Sequence, residues 1–206
     1  LDLVRLEDGT GPLCYAPWRR DPRPLPGLLH GIYAFMSVVE FWRTQRHADP
    51  GDRRADFRFL YHREQVREAV RAVAAMPELT EFGSRLVEAV QARLVRCDNE
   101  TVPGDLAETV TLLLAEHRLS WRLRHLSPPD THVEDLTRRW LADGVPSRHD
   151  AKLTPHARPE HASPLPRLLR AKAFDPGLFA GMATDPGERA LAGGRYDEAS
   201  QAFATR

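Results

Sequence analysis

Between Leu25 and His47 apolar residues recur at intervals of three and four: Leu25, Leu28, Leu29, Ile32, Phe35, Met36, Val39 and Trp42. That spacing predicts a helix with a wide buried face, and Pro24 and Pro26 suit its first turn. A second helix is expected from Asp52 to Ala75 through Phe57, Leu60, Tyr61, Val66, Val70 and Val73, and a third from Pro77 to Val95. After Val102-Pro103-Gly104, a fourth should run from Asp105 to Leu126, with Leu106, Val110, Leu113, Leu114, His117 and Trp121 on one stripe; Pro128-Pro129 stops it. Asp130 or Thr131 could cap a fifth, with Val133, Leu136, Trp140 and Leu141 facing inward. No alternating run of β-branched residues occurs, so strands should be few. The expected class is mainly α, a helical bundle.

Outside those helices the pattern breaks in three places. Ahead of the first helix, a short amphipathic start and a Gly9-Thr10-Gly11-Pro12 turn lead into a segment whose Pro17, Pro22 and Pro24 forbid a regular helix, predicting a loop of fixed shape. From Val145 to Pro166 the chain turns to Pro, His, Ala and charge without an apolar period, which predicts a linker and a domain boundary. The expected organisation is a helical domain over 1–145, a Pro/His-rich linker over 146–166 and a helical tail over 167–206. In that tail Leu165 to Phe174 suits a short helix. Glu188 to Phe203 reads as one helix, similar through Gly194, Tyr196, Asp197, Glu198, Ala199 and Phe203 to the first helix of a tetratricopeptide repeat, and equally to an ordinary amphipathic helix.

Composition narrows the function. The 206 residues carry 29 Lys+Arg against 29 Asp+Glu and are 42% hydrophobic, enough for one core with an appendage. The balance removes the surplus cationic charge on which nucleic-acid binding depends, so no nucleic-acid partner is expected. Cys14 and Cys97 are too few for a disulfide scaffold and have no zinc-type spacing, which points to a reducing compartment. No uninterrupted apolar stretch could span a membrane and no secretory signal opens the chain, so neither a membrane partner nor export is expected, and the location expected is cytoplasmic. Lys152 and Lys172 are the only lysines, a bias that reads as a high-GC genome. The missing initiator Met and an end inside a helical pattern suggest that both termini were cut from a longer chain.

The stretch Tyr15 to Trp42 holds the most unusual chemistry. Arg19, Arg20 and Arg23 fall within five residues on a rigid loop, and a guanidinium fork binds carboxylate or phosphate in bidentate fashion. The competing reading is that these arginines pair with surface acids such as Asp21. His30 could complete a metal site or be a hydrogen-bonded core residue. His117 reads as a core histidine and Cys14 as structural, while His156 and His161 sit in the linker.

The run Tyr15-Ala16-Pro17-Trp18-Arg19, Asp21-Pro22-Arg23-Pro24, then Gly27-Leu28-Leu29-His30-Gly31-Ile32-Tyr33-Ala34-Phe35 and Phe41-Trp42-Arg43 resembles the HExxH-domain peptide-modification proteins of actinobacteria. So does His117-Arg118-Leu119, continued by Trp121-Arg122-Leu123-Arg124-His125. The resemblance covers roughly residues 1 to 145. It implies an iron(II)- and 2-oxoglutarate-dependent β-hydroxylase acting on ribosomally made peptides, with His30 as an iron ligand, Arg19 or Arg23 clamping the 2-oxoglutarate carboxylate, Arg122 as a second candidate clamp, and Trp18, Tyr33 and Phe35 excluding water. The chain departs from that family in lacking HExxH, whose two histidines would belong to an upstream segment acting as a partner in the site. The fragment would then hold iron too weakly to turn over. Two alternatives remain open: a helical interaction or degenerate scaffold module of a peptide-maturation system, and an HExxH-type zinc metallopeptidase fragment.

Overall fold

The computed structural model describes residues 2–5, 11–127, 137–138, 141–142, 152–153 and 163–205. Four long helices carry the fold: α1 (Leu25–Ala48), α2 (Arg53–Val73), α3 (Glu81–Val95) and α4 (Gly104–His125). Four short ones follow: α5 (Leu165–Phe174), α6 (Pro176–Gly181), α7 (Pro186–Ala192) and α8 (Tyr196–Ala204). The expected mainly helical class is what the chain adopts. Asp52 and Thr80 cap α2 and α3 by accepting from the Arg54 and Gly83 amides, so polar side chains satisfy donors that a helix start leaves open. Among the described residues no helix is long and apolar enough to cross a membrane.

Two apolar clusters organise these helices. In the first, Leu25, Leu28, Leu29, Ile32, Met36 and Val39 of α1 meet Phe59, Val66, Ala69, Val70 and Val73 of α2 and Val87, Val90 and Leu94 of α3. In the second, Phe57 and Leu60 of α2 meet Leu106, Val110 and Leu113 of α4 and Leu165, Leu168, Leu169 and Ala173 of α5. The tail therefore does not build a core of its own. The boundary expected over 146–166 separates no two cores, because α5 needs a partner for its apolar face and finds it on α2 and α4. Arg53 Nε adds a 2.9 Å hydrogen bond to the Ala173 carbonyl.

Among the described residues the strands are four two-residue pieces. β1 (Leu13–Cys14) pairs antiparallel with β2 (Arg23–Pro24), with Leu13 opposite Pro24 and Cys14 opposite Arg23. β3 (Leu126–Ser127) pairs with β4 (Lys152–Leu153). The rest of the expected linker, with His156 and His161, lies outside the described residues up to Ser163. So do Asp130, Thr131, Val133, Leu136 and Trp140 of the expected fifth helix. Thr137, Arg138, Leu141 and Ala142 are helical, but Leu141 is exposed where an inward position was expected.

The loop before α1 has a fixed shape, as its prolines require. Buried Gln65 donates from Nε2 to the Pro17 carbonyl at 2.8 Å, and the Leu25 amide reaches the Pro12 carbonyl at 3.0 Å. The Trp18 ring lies on α1 at Gly31, where a Cβ would come within 2.5 Å of Trp18 Cζ2, and stacks on Phe35 at 4.5 Å between ring centres. At the other end, the single helix expected over 188–203 is two. α7 stops at Ala192, Gly194 takes a left-handed φ of 79°, and α8 begins at Tyr196, so the pair forms a helix-turn-helix in which Phe203 packs against Gly187.

Candidate functional site

On α2, Arg63, Arg67 and Arg71 recur every four residues, which aligns them on one side of the helix. On α4, Arg118 and Arg122 do the same. Phe57 and Leu60 share a core with Leu106 and Val110, while Glu68 reaches Arg118 further along both helices, so α2 and α4 run in the same direction. Both arginine rows consequently face one groove of about 1170 Å³. Leu60, Ala107, Val110 and Leu114 give it an apolar stretch, Glu64 and Glu68 its acids, and Tyr15 and Trp121 part of its wall.

The five guanidinium groups are not equivalent. Arg63 is buried and committed: its Nη1 donates to the Cys97 carbonyl at 2.9 Å, its Nε to Glu64 at 3.1 Å, and it lies 5.2 Å over the Phe59 ring. Arg67 pairs with Glu64 at 2.6 Å and with Asp98. Arg118 Nη1 sits 2.8 Å from Glu68 Oε1, without the geometry of a hydrogen bond. Arg71 and Arg122 are exposed and have neither a hydrogen bond nor an ion pair among the described residues. The uncommitted cations gather where α2 and α4 end, and the apolar stretch lies toward their starts.

Burial shapes the electrostatics of the wall. It holds the Tyr15 phenol far above its ordinary pKa, helped by Glu68 and opposed by Arg118. Burial, then the Arg20 charge, pushes His117 down. The two groups, both uncharged near neutrality, are joined by a 2.8 Å hydrogen bond between Tyr15 Oη and His117 Nδ1. Tyr15 also meets Trp121 edge-on at 5.1 Å. Trp121 is buried, and its Nε1 has no hydrogen bond among the described residues. Burial raises the Glu68 carboxyl, against the pull of Arg118.

Of the residues given a metal, carboxylate-binding or water-excluding role from the sequence, only Arg122 lines this groove. Arg19 pairs with Asp21 at 2.9 Å on the surface, the reading weighed against a ligand role. Arg23 lies along α1 with its guanidinium over Gly27. His30 is exposed on α1, one residue around the helix from the Gly31 that Trp18 covers. Tyr33, expected to help exclude water, is exposed as well. His117 is held by Tyr15, as a satisfied core histidine should be, and Cys14 is buried with its thiol pushed up to about 11 by burial and by Glu78. Arg63, Arg67, Arg71 and Arg118 were missed as site residues. The four-residue spacing on α2 was the signal that could have found them.

Among the described residues no three His, Cys, Asp or Glu side chains converge so as to hold a metal ion, so the implied iron would need donors beyond them. Carboxylates fit better, since guanidinium groups without partners are their natural receptors. Comparison with known proteins finds no matching protein family, no matching curated protein and no matching solved structure.

Proposed function

We propose that this chain is the helical, carboxylate-recognising part of an HExxH-type peptide-modifying protein, and that recognition takes place in the groove between α2 and α4. One observation carries the reading: Arg71 and Arg122 face the same groove from two helices with no partner among the described residues, and Arg118 stands beside them against one half-buried glutamate. A charged group left uncommitted in a concave site is a binding element in waiting, because a carboxylate gains two charge-assisted hydrogen bonds there. The resemblance over Tyr15 to Phe35 and His117 to His125 supplies the reaction class, iron(II)- and 2-oxoglutarate-dependent β-hydroxylation. The described residues do not assemble its metal site, so no step is assigned to iron in this chain.

The test is a titration of the chain with 2-oxoglutarate and with poly-glutamate, observed through the guanidinium Nε–H resonances of Arg71 and Arg122. Shifts at these two positions with either carboxylate support the reading. Silence with both sinks it. The reaction class is tested separately in a protein that carries an HExxH segment: anaerobic iron(II) plus 2-oxoglutarate should produce the weak visible charge-transfer band, and its absence at saturation counts against hydroxylation.

A further inference from the structure

We propose that the α2–α4 groove docks an amphipathic acidic helix of a protein partner, with its apolar residues over Ala107 and Leu114 and its carboxylates against Arg71, Arg118 and Arg122. The proposal rests on the reading that this groove takes carboxylates, and it names the occupant. Size is the first argument. At about 1170 Å³ the groove exceeds the roughly 300–1,000 Å³ usual for small-ligand pockets, and Arg63 and Arg71 stand eight residues apart, about 12 Å along α2. A small dicarboxylate at Arg71 and Arg122 would leave the half-buried Ala107 and Leu114 uncovered.

Polarity along the groove is the second argument. Glu64 and Asp98 already pair with Arg63 and Arg67, so the free positive charge is confined to one end and the other end is lined by Leu60, Ala107, Val110 and Leu114. A helix with apolar residues at i, i+3 and i+4, followed by a turn rich in Glu or Asp, matches both halves at once. Its negative end meets the cations in one orientation only, so the gradient also sets the direction in which the partner lies.

The experiment uses this chain and a short fluorescein-labelled peptide with a leucine-patterned first half and a glutamate-rich second half, read by anisotropy at low salt. A second peptide has lysine in place of each glutamate, and 2-oxoglutarate serves as competitor. The acidic peptide should bind, the lysine peptide should not, and Arg71→Ala with Arg122→Ala should weaken binding by about tenfold. Both side chains are exposed and unpaired among the described residues, so the double variant should keep the wild-type circular dichroism and melting curve. Acidic-peptide binding that is indifferent to the double substitution overturns the proposal. Binding of 2-oxoglutarate but not of the peptide overturns it too, while leaving the carboxylate reading in place. No binding of either overturns both.

Discussion

Replacing Gly31 by alanine sets two opposed effects against each other on α1. A new Cβ would stand 2.5 Å from Cζ2, 2.9 Å from Cε2 and 3.1 Å from Nε1 of Trp18. Carbon pairs settle near about 3.5–4.0 Å, so the ring must back away by roughly 1 Å. It has little room to do so, because it is stacked on Phe35 at a 15° tilt and its loop is tied down by Gln65 and by the β1–β2 pair. Overpacking of this kind costs about 1–3 kcal/mol, and part of an aromatic contact worth about 0.5–1.5 kcal/mol goes with it. Removing glycine from a helix interior returns about 1 kcal/mol. The expected net loss is about 1–2 kcal/mol, a fall of about 3–6 °C in Tm for a chain of this size. Gly27→Ala is the internal control: its Cβ would meet Arg23 at an ordinary 3.6 Å, so the helix-propensity gain survives and Tm should rise slightly. Thermal unfolding followed by circular dichroism measures both. In a Trp18→Leu background the Gly31→Ala change should turn neutral or stabilising. If Gly31→Ala melts at or above the wild type while Trp18 is intact, the close approach is not there and the reasoning fails.

Three further outcomes are expected. Glu100 accepts from Arg43, from Arg46 at 2.6 Å and from His47 at 2.8 Å, so Glu100→Ala should destabilise by about 1–2 kcal/mol in urea denaturation, with Asp56 retaining Arg46 at 2.7 Å and limiting the loss; an unchanged midpoint would show that the cluster contributes nothing. Burial holds both His62 and His117 below the ordinary value of 6.5, so the unfolded chain takes up their protons first: their contribution is complete above pH 6.5 and is lost as the pH falls through the folded-state values, against an opposite contribution from Glu68, which gains as its raised carboxyl protonates. Denaturation midpoints should therefore drop between pH 7.5 and 5.5, less steeply in His117→Gln, and a rise on acidification would contradict the assignment. Gly194→Ala forces a side chain into a left-handed turn beside Glu108 and should cost about 1 kcal/mol, seen as faster amide exchange in Tyr196–Ala204 with α1 unaffected.

The four long helices could be read from the sequence because each has a broad apolar stripe bounded by proline or a cap, and a stripe of that width has few places to go. Gly194 was harder. Its neighbours continue a helical period, and only the backbone's left-handed turn reveals that the period restarts. The linker composition suggested a boundary, yet Leu165, Leu168 and Leu169 form a face whose partner is set by tertiary packing, which a composition shift does not report. The site divides in the same way. Arg63, Arg67 and Arg71 share a face by spacing alone, but their meeting with Arg118 and Arg122 depends on two helices separated in sequence running side by side in one direction. At His30 the difference is a single residue: a helix turns about 100° per step, which puts Gly31 under Trp18 and His30 in water.

Phe57 and Leu60 point one way from α2 while Phe59, Val66 and Val70 point the other, so one rod is the common wall of both apolar chambers. Neither chamber can empty without stripping cover from that wall, which makes the melting of one half the business of the other. Anything seated along the outer edge of α2 and α4 would brace the partition itself.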